Sequence, residues 1–429
     1  MFKNKYFNLL WLMRNERHSL DELISIQNIK LRHLIKHAYE NVRFYRDIFQ
    51  EIGLHPEDIK SVDDIHKIPI IDKNDFHQRP YSDLLDKRIK NKERLIPINT
   101  SGSSGSQLKF YIDHNYDQFR KAQYLRPYLT NGRRLSDMVV WLRAYDAPKK
   151  KWFQRLSLMR EHRVYSGLNL DNQIKIIKEM KPAILQGYGS VLALLASKIL
   201  EYDIPIHTPR IIFTDSELLT EEMRQKIEKV FNAEVIDIYG TYETDNIGYE
   251  CSKHEGYHIA TDCVIMEFIK DGKRARPNEE GEIVCTVLDN FAMPFIRYNL
   301  HDIGSYTLKP CSCGRSFLLM DKIAGRSNDY LVHENGLKKS PFTFIRRFKH
   351  LSNSMREYQM IQEDINLFKI LVVPGHEFNC KTEQNVRENT WKEFPKAQIN
   401  IKIVKKIDRD KSGKFRAFIS NVKDKSASN

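Results

Sequence analysis

Apolar residues Leu20, Leu23, Ile24, Leu31, Leu34, Ile35 and Ala38 recur at near-helical spacing, which predicts helix over residues 18–50. The next stretch, SVDDIHKIPIIDKNDF (61–76), mixes a capping signal with Pro69. It reads as a helix, an extended crossing segment and a new helix. From about 95 to 250, short apolar runs alternate with helical patterns. MVVWLRAY (138–145), AILQGY (183–188), RIIFTDS (210–216) and AEVIDIYG (233–240) read as buried strands. DNQIKIIKEM (171–180), SVLALLASKILEY (190–202) and TEEMRQKIEKVF (220–231) read as the helices between them. Such alternation predicts an α/β domain on a largely parallel sheet. Residues 257–310 change character: HIATDCVIMEFI, GEIVCTVL and GSYTL are strand-like between polar or Gly-rich turns, as in a smaller antiparallel region. After Gly325 a small α+β domain begins, closing on NIKIVKKI and a Lys-rich tail. The expected organisation is a large N-terminal α/β domain over 1–325, β-rich at about 257–322, followed by a small mobile α+β domain over 326–429.

Composition narrows the class of protein. The 429 residues are 41% hydrophobic, enough for a sizeable core. The apolar patch Phe7–Met13 is interrupted by Asn8 and precedes no small-residue cleavage site. No run reaches the roughly 18 apolar residues of a membrane span. The expectation is a soluble, cytoplasmic protein. Six cysteines in a chain of this length do not make a disulfide scaffold; where they cluster, metal is the better reading. Lys+Arg exceed Asp+Glu by 69 − 56 = 13, spread along the chain. That suits an anionic ligand, but no nucleic-acid recognition motif accompanies it.

Candidate chemistry lies at five places. INTSGSSGSQLKFY (98–111) packs hydroxyls and glycines into a loop whose N–H groups can converge on an anion; an ordinary polar loop has the same look. It is not a Walker A loop. YGTYETD (239–245) follows an apolar strand, where ligands of open α/β sheets bind. Tyr239 there offers a flat face for a base, and Glu243 a hard carboxylate for Mg²⁺. Asp302 in FIRYNLHDIG (295–304) suits the hydroxyls of a ribose, or simply a turn. AGRSNDYLV (324–332) puts Gly325 and Arg326 between two domains. IDRDKSGKFRAFIS (407–420) places Lys414 in a glycine-containing turn, where a solvated lysine is the plain alternative.

Taken in order, these segments resemble the adenylate-forming superfamily of acyl-CoA synthetases and adenylation domains. TSGSSG resembles its phosphate loop, TDSELLT its adenine-side segment, YGTYE the Y-G-x-[ST]-E motif, RYNLHD the R-Y-R-T-G-D motif, GRSNDYL the G-R-x-D-D hinge and the last SGK its catalytic lysine. Over roughly residues 30–420 the phrasing is similar to the phenylacetate–CoA ligase-like group and, within it, to CapK-type proteins of capsule clusters. Four positions depart: Tyr242 for Ser or Thr, His301 for glycine, Asn328 for the first hinge acid and Gln107 for proline. Residues 141–170 also lack the glycine-rich phrasing of phenylacetate ligases.

The resemblance implies an ATP-dependent, AMP-producing ligase. It would join a carboxylic acid to AMP, release pyrophosphate, and pass the acyl group to a thiol on CoA or a carrier protein. Thr100, Ser101, Gly102, Ser103, Ser104 and Gly105 would grip phosphates; Glu217, Tyr239, Gly240, Asp302 and Arg326 would line the nucleotide; Glu243 would hold Mg²⁺ and Lys414 would meet the developing charge. The competing reading is a non-catalytic nucleotide-binding relative in a polysaccharide biosynthesis cluster. The same resemblance pairs Cys311 and Cys313 of PCSCGR with Cys251 and His258 of ECSKHEGYH as a Cys₃His structural zinc site, with His254 as the alternative nitrogen. Cys263, Cys285 and Cys380 are expected outside it.

Overall fold

A computed structural model describes residues 4–100, 107–143, 159–166, 168–326, 330–339, 341–348, 351, 354–409 and 415–422. The chain forms two compact units that alternate along it: Met1–Arg133 with Ile236–Ile323, and Arg134–Val235 with Ala324–Asn429. The second break lies close to the boundary expected at 325/326. Residues 134–235, however, group with the C-terminal part and not with the rest of 1–325.

In the first unit, Ser19 and Glu22 form a reciprocal capping box at the start of the helix Leu20–Asn41, whose buried face carries Leu23, Leu31, Leu34, Ile35 and Ala38. The helix expected over 18–50 is two helices, because Val42 is extended (φ −118°, ψ 113°) and the chain restarts as Arg43–Glu51. Downstream, a 3₁₀ turn Val62–Lys67, a single bridge from Ile71 to Tyr298 and the Asp72-capped helix Lys73–His77 follow the expected order. The sheet runs, in spatial order, Lys273–Arg274, Val264–Lys270, Gly281–Val287, Tyr298–Thr307, Leu319–Arg326, Tyr257–Ile259, Asp245–Tyr249 and Glu234–Thr241. Its registered pairs are antiparallel, for example Met266 opposite Cys285 and Leu319 opposite His258.

Arg126, 1% exposed, grips Asp262 with one nitrogen at 2.9 and 2.8 Å from its two oxygens. Asn15 donates to the same carboxylate at 2.8 Å. This buried group ties the helices Lys5–Asn15 and His114–Thr130 to the turn after Tyr257–Ile259. Burial pushes the Asp262 carboxyl up, but Arg126 and Asn15 outweigh it and hold the carboxyl below its usual value.

In the second unit the parallel strands lie in the order Ile211–Asp215, Ile184–Gly187, Val139–Arg143, Glu161–Tyr165. Val140, Leu142, Val164, Leu185 and Ile212 share one core with Ile177, Leu192, Leu195 and Ile227 of the flanking helices. The C-terminal part is a four-stranded sheet, Gln398–Ile403, Leu367–Pro374, Met355–Asp364, Phe418–Ser420, with helices Pro341–Phe348 and Cys380–Trp391. Phe344, Phe348, Phe368, Phe394 and Phe418 fill its core. The small α+β domain expected there is present. No helix among the described residues is long and apolar enough to cross a membrane.

Candidate functional site

The apolar strand Glu234–Thr241 carries Tyr239 to its end, and the strand Tyr298–Thr307 brings Asp302 beside it. The Tyr239 hydroxyl donates to Asp302 Oδ2 at 2.8 Å, and both residues are buried. Two motif residues far apart in sequence thus form one pair. Gly240 follows at a register shift in the hairpin with Asp245–Tyr249. A Cβ on Gly240 would lie 2.2 Å from the Asp245 carbonyl oxygen, so only glycine fits. Asp245 itself is held by Arg120 Nε at 2.9 Å.

Glu243 lies half-buried in the turn between these strands. Its charge acts on the same place as Asp302: burial first, then Asp302, Glu267 and Glu243, push the Cys285 thiol up. The Tyr298 hydroxyl is likewise raised by burial, then by Glu243 and Asp72. At the departure Tyr242, the side chain is exposed and the carbonyl accepts from Arg120 Nη2 at 3.4 Å. The turn's hydroxyls are instead Thr241 and Thr244, 3.1 Å apart, a pair that the motif does not single out. His301, a second departure, adopts φ +56°, the left-handed region where glycine is at home. A non-glycine residue there costs about 1 kcal/mol. Its ring sits 3.2 Å from Asp72 and its N–H donates to Asn299 at 2.8 Å.

Thr100 closes the base of the hydroxyl-rich loop. Its N–H donates to the Leu108 carbonyl and its Oγ1 accepts from the Leu108 N–H, each at 2.9 Å. Ser101, Gly102, Ser103, Ser104 and Gly105 lie outside the described residues, as do Asn328 and Lys414. Arg326 ends the strand Leu319–Arg326, directly after Gly325 at φ +97°.

In the second unit, Asp215 at the carboxyl end of its strand accepts from Arg143 and Gln186, each at 2.9 Å, and from Ser216 Oγ at 2.7 Å. Sequence reasoning passed over these three partners; their one signal is position at strand ends. Glu217, expected on the adenine side, accepts from the Ser190 N–H at 3.2 Å and the Phe415 N–H at 2.6 Å. Nearby, burial raises the Glu357 carboxyl to about 7 against the pull of Arg409, with Glu217 adding to the rise. The ordinary carboxyl value is 4.5, so the folded chain holds this proton more tightly than the unfolded one. The resulting stability is present below pH 4.5 and is lost as the pH climbs through about 7. The denaturation midpoint is therefore expected to rise on going from pH 8 to pH 5, and to rise less in Glu357→Gln. An equal rise in both proteins would count against this assignment.

The cysteines give the sharpest geometry. The strand Tyr257–Ile259 pairs on one side with Asp245–Tyr249 and on the other with Leu319–Arg326, so the segments bearing Cys251, His258 and Cys311–Cys313 converge. The four ligand atoms lie within 4.8 Å of one another. Cys251 and Cys311 sulfurs are 3.6 Å apart, and Cys313 Sγ is 3.4 Å from His258 Nε2. Tetrahedral zinc sets S···S near about 3.8 Å and S···N near about 3.5 Å. Burial, then Arg315, pushes His258 down to about 4, which leaves a neutral imidazole with a lone pair to give. Burial pushes the Cys311 thiol up to about 12, a rise that a cation among the sulfurs would reverse. The residues fit zinc. His254 stands apart, 3.6 Å from Glu250, and Cys263, Cys285 and Cys380 are also outside the set.

Comparison with known proteins gives these sites a context. Residues 331–421 match the CapK C-terminal domain family. The chain is 27% identical to Protein CapK of Staphylococcus aureus, over 94% of this chain and 90% of that one. It is 28% identical to the phenylacetate-coenzyme A ligase of Escherichia coli (strain K12), over 87% and 89%. Among solved structures, 2-hydroxyisobutyryl-CoA ligase in the postadenylation state, in complex with 2-HIB-AMP, superposes with a TM-score of 0.79 at 19% identity, covering 95% of this chain and 91% of that one. The chain is therefore similar to Protein CapK and to the phenylacetate-coenzyme A ligases, and it has the fold of the CoA ligases.

Proposed function

We propose that the protein activates a carboxylic acid with ATP and transfers the acyl group to CoA. The observation that carries this reading is the buried Tyr239–Asp302 pair, which joins two nucleotide motifs on the fold of CoA ligases. In the first step a carboxylate oxygen bonds to the α-phosphorus and the bond to pyrophosphate breaks. In the second a thiol sulfur bonds to the acyl carbon and AMP leaves. CoA is favoured over a carrier protein because several of the relatives, and the solved structure that superposes, are named as CoA ligases.

The first step brings two anions together, so charge neutralisation and alignment dominate its barrier. Tyr239 and Asp302 hold the nucleoside, the loop from Thr100 to Gly105 holds phosphate, and Lys414 meets the developing charge. Glu243 would hold Mg²⁺, which supplies Lewis acidity when bound. Cys251, His258, Cys311 and Cys313 would hold zinc with every position filled by protein, a structural and not a catalytic site. The C-terminal domain turns near Arg326 between the two steps. The meeting of Tyr239 and Asp302, with Glu243 in the adjoining turn, supports a catalytic role over a non-catalytic one.

ATP–pyrophosphate exchange across aryl, fatty, amino and hydroxy acids tests this reading; no exchange with any of them would overturn it. Glu243→Gln keeps the shape and removes the charge. It is expected to lower pyrophosphate release by about 10–10²-fold. A loss of no more than about threefold would mean that Glu243 is not the Mg²⁺ ligand.

A further inference from the structure

The chain segment that ends on the C-terminal lysine turn is held from outside its own domain. Glu217 stands just past the strand Ile211–Asp215, and its carboxylate is a bridge. One oxygen takes the Ser190 N–H in the first turn of the helix Gly189–Glu201. The other takes the N–H of Phe415, the residue directly after Lys414, at 2.6 Å. A short bond from a backbone N–H to a carboxylate is of the strong, charge-assisted kind. The base of this bridge is stiff. Asp215 is fixed by Arg143, Gln186 and Ser216, and Ser216 sits at φ +69°. Among the described residues, further holds on Phe415 and Arg416 come from the C-terminal part. Arg409 lies 4.4 Å from the Phe415 ring centre and pairs with Glu357, while Gln359 donates to the Arg416 carbonyl at 2.8 Å.

We propose that Glu217 is a positioning residue for Lys414, fixing the backbone directly after it by accepting the Phe415 N–H. This rests on the ligase reading, in which Lys414 serves adenylate formation. With both of its oxygens committed to backbone donors, Glu217 acts on the nucleotide through that backbone. A lysine side chain has many orientations open to it. Fixing the next backbone N–H restricts them before the ammonium meets its phosphate.

The test uses the full chain and three variants. Glu217→Ala and Glu217→Leu remove the acceptor, the second while filling the space; Glu217→Gln keeps an acceptor oxygen. The first readout needs no catalysis. Trypsin cuts the Lys414–Phe415 bond, whose N–H is the one that Glu217 holds. In nucleotide-free protein, cleavage there is expected to rise at least about fivefold in the Ala and Leu variants and to stay within about twofold of wild type in the Gln variant. The second readout is single-turnover adenylate formation. Glu217→Leu is expected to lose about tenfold, Glu217→Gln to recover most of it, and Glu217→Leu with Lys414→Ala to fall no further than Lys414→Ala alone. Unchanged cleavage in both acceptor-free variants overturns the proposal, and so does a double variant whose losses multiply. If wild type forms no adenylate with any acid, the ligase reading fails, and the cleavage result still decides whether Glu217 anchors the turn.

Discussion

Cys311→Ser is expected to leave the protein without zinc and markedly less stable. Wild-type protein should carry about one zinc per chain, the occupancy of a closed Cys₃His site. The apolar material around the site is slight: Cys251, Cys311 and Leu319 are its buried members, with Cys313 packed against them. Nearby Leu308 is 71% exposed. A loop with so little to bury depends on metal–ligand bonds for its order, and structural zinc contributes folding free energy directly. The loss should be several kcal/mol, a fall in melting temperature of roughly 5–10 °C for a unit of this size. Cys313→Ser should behave alike, and Cys380→Ser, an exposed cysteine away from the site, should keep both metal and stability. Elemental analysis that finds no zinc in protein purified without chelator would end the proposal.

Lys414→Ala is expected to lower adenylate formation by about 10²–10³-fold, the scale for losing one preorganised charge-stabilising donor. ATP affinity and melting temperature should barely change, because a lysine that serves the reaction and not the core moves stability little when truncated. Supplied with pre-made acyl-adenylate, the variant should still acylate CoA at close to the wild-type rate. That split separates a lysine serving one step from one that holds the fold. Equal loss in both half-reactions would rule out a C-terminal domain that changes place between them. Normal adenylation would return Lys414 to the status of a solvated side chain.

Some of this architecture is legible in the residues because it is local. The apolar spacing from Leu20 to Ala38 and the capping pair Ser19 and Glu22 need only one helix to make sense. The alternating runs between 138 and 231 locate three strands and three helices of the second unit. The strand Glu161–Tyr165 escapes notice because EHRVY is mostly polar and lies at the sheet's edge, where one neighbour suffices. Val42 breaks a continuous periodicity through backbone angle alone, which hydropathy does not register. The four zinc ligands are readable by residue type, but their meeting depends on strand pairing some sixty residues apart, stated by the Cys251–Cys311 distance. Tyr239 and Asp302 are each visible as motif residues; the bond between them is not. Glu217 has the partner that the sequence shows least. Its motif points to a nucleotide, and nothing in TDSELLT says that the carboxylate takes a backbone N–H close to the far end of the chain.

The alternation of the two units has a consequence for synthesis on the ribosome. The first unit needs Ile236–Ile323 to complete the sheet that Met1–Arg133 packs against. Between those segments the ribosome makes residues 134–235, which is 235 − 133 = 102 residues of the other unit. At translation rates of about 5–20 residues per second, that is a wait of roughly 5–20 seconds. During it, the apolar faces of Leu20–Asn41 and His114–Thr130 have emerged without their sheet. A nascent-chain chaperone is most useful to this protein in that interval, and a chain truncated before Ile323 should aggregate, however well its remaining elements are formed.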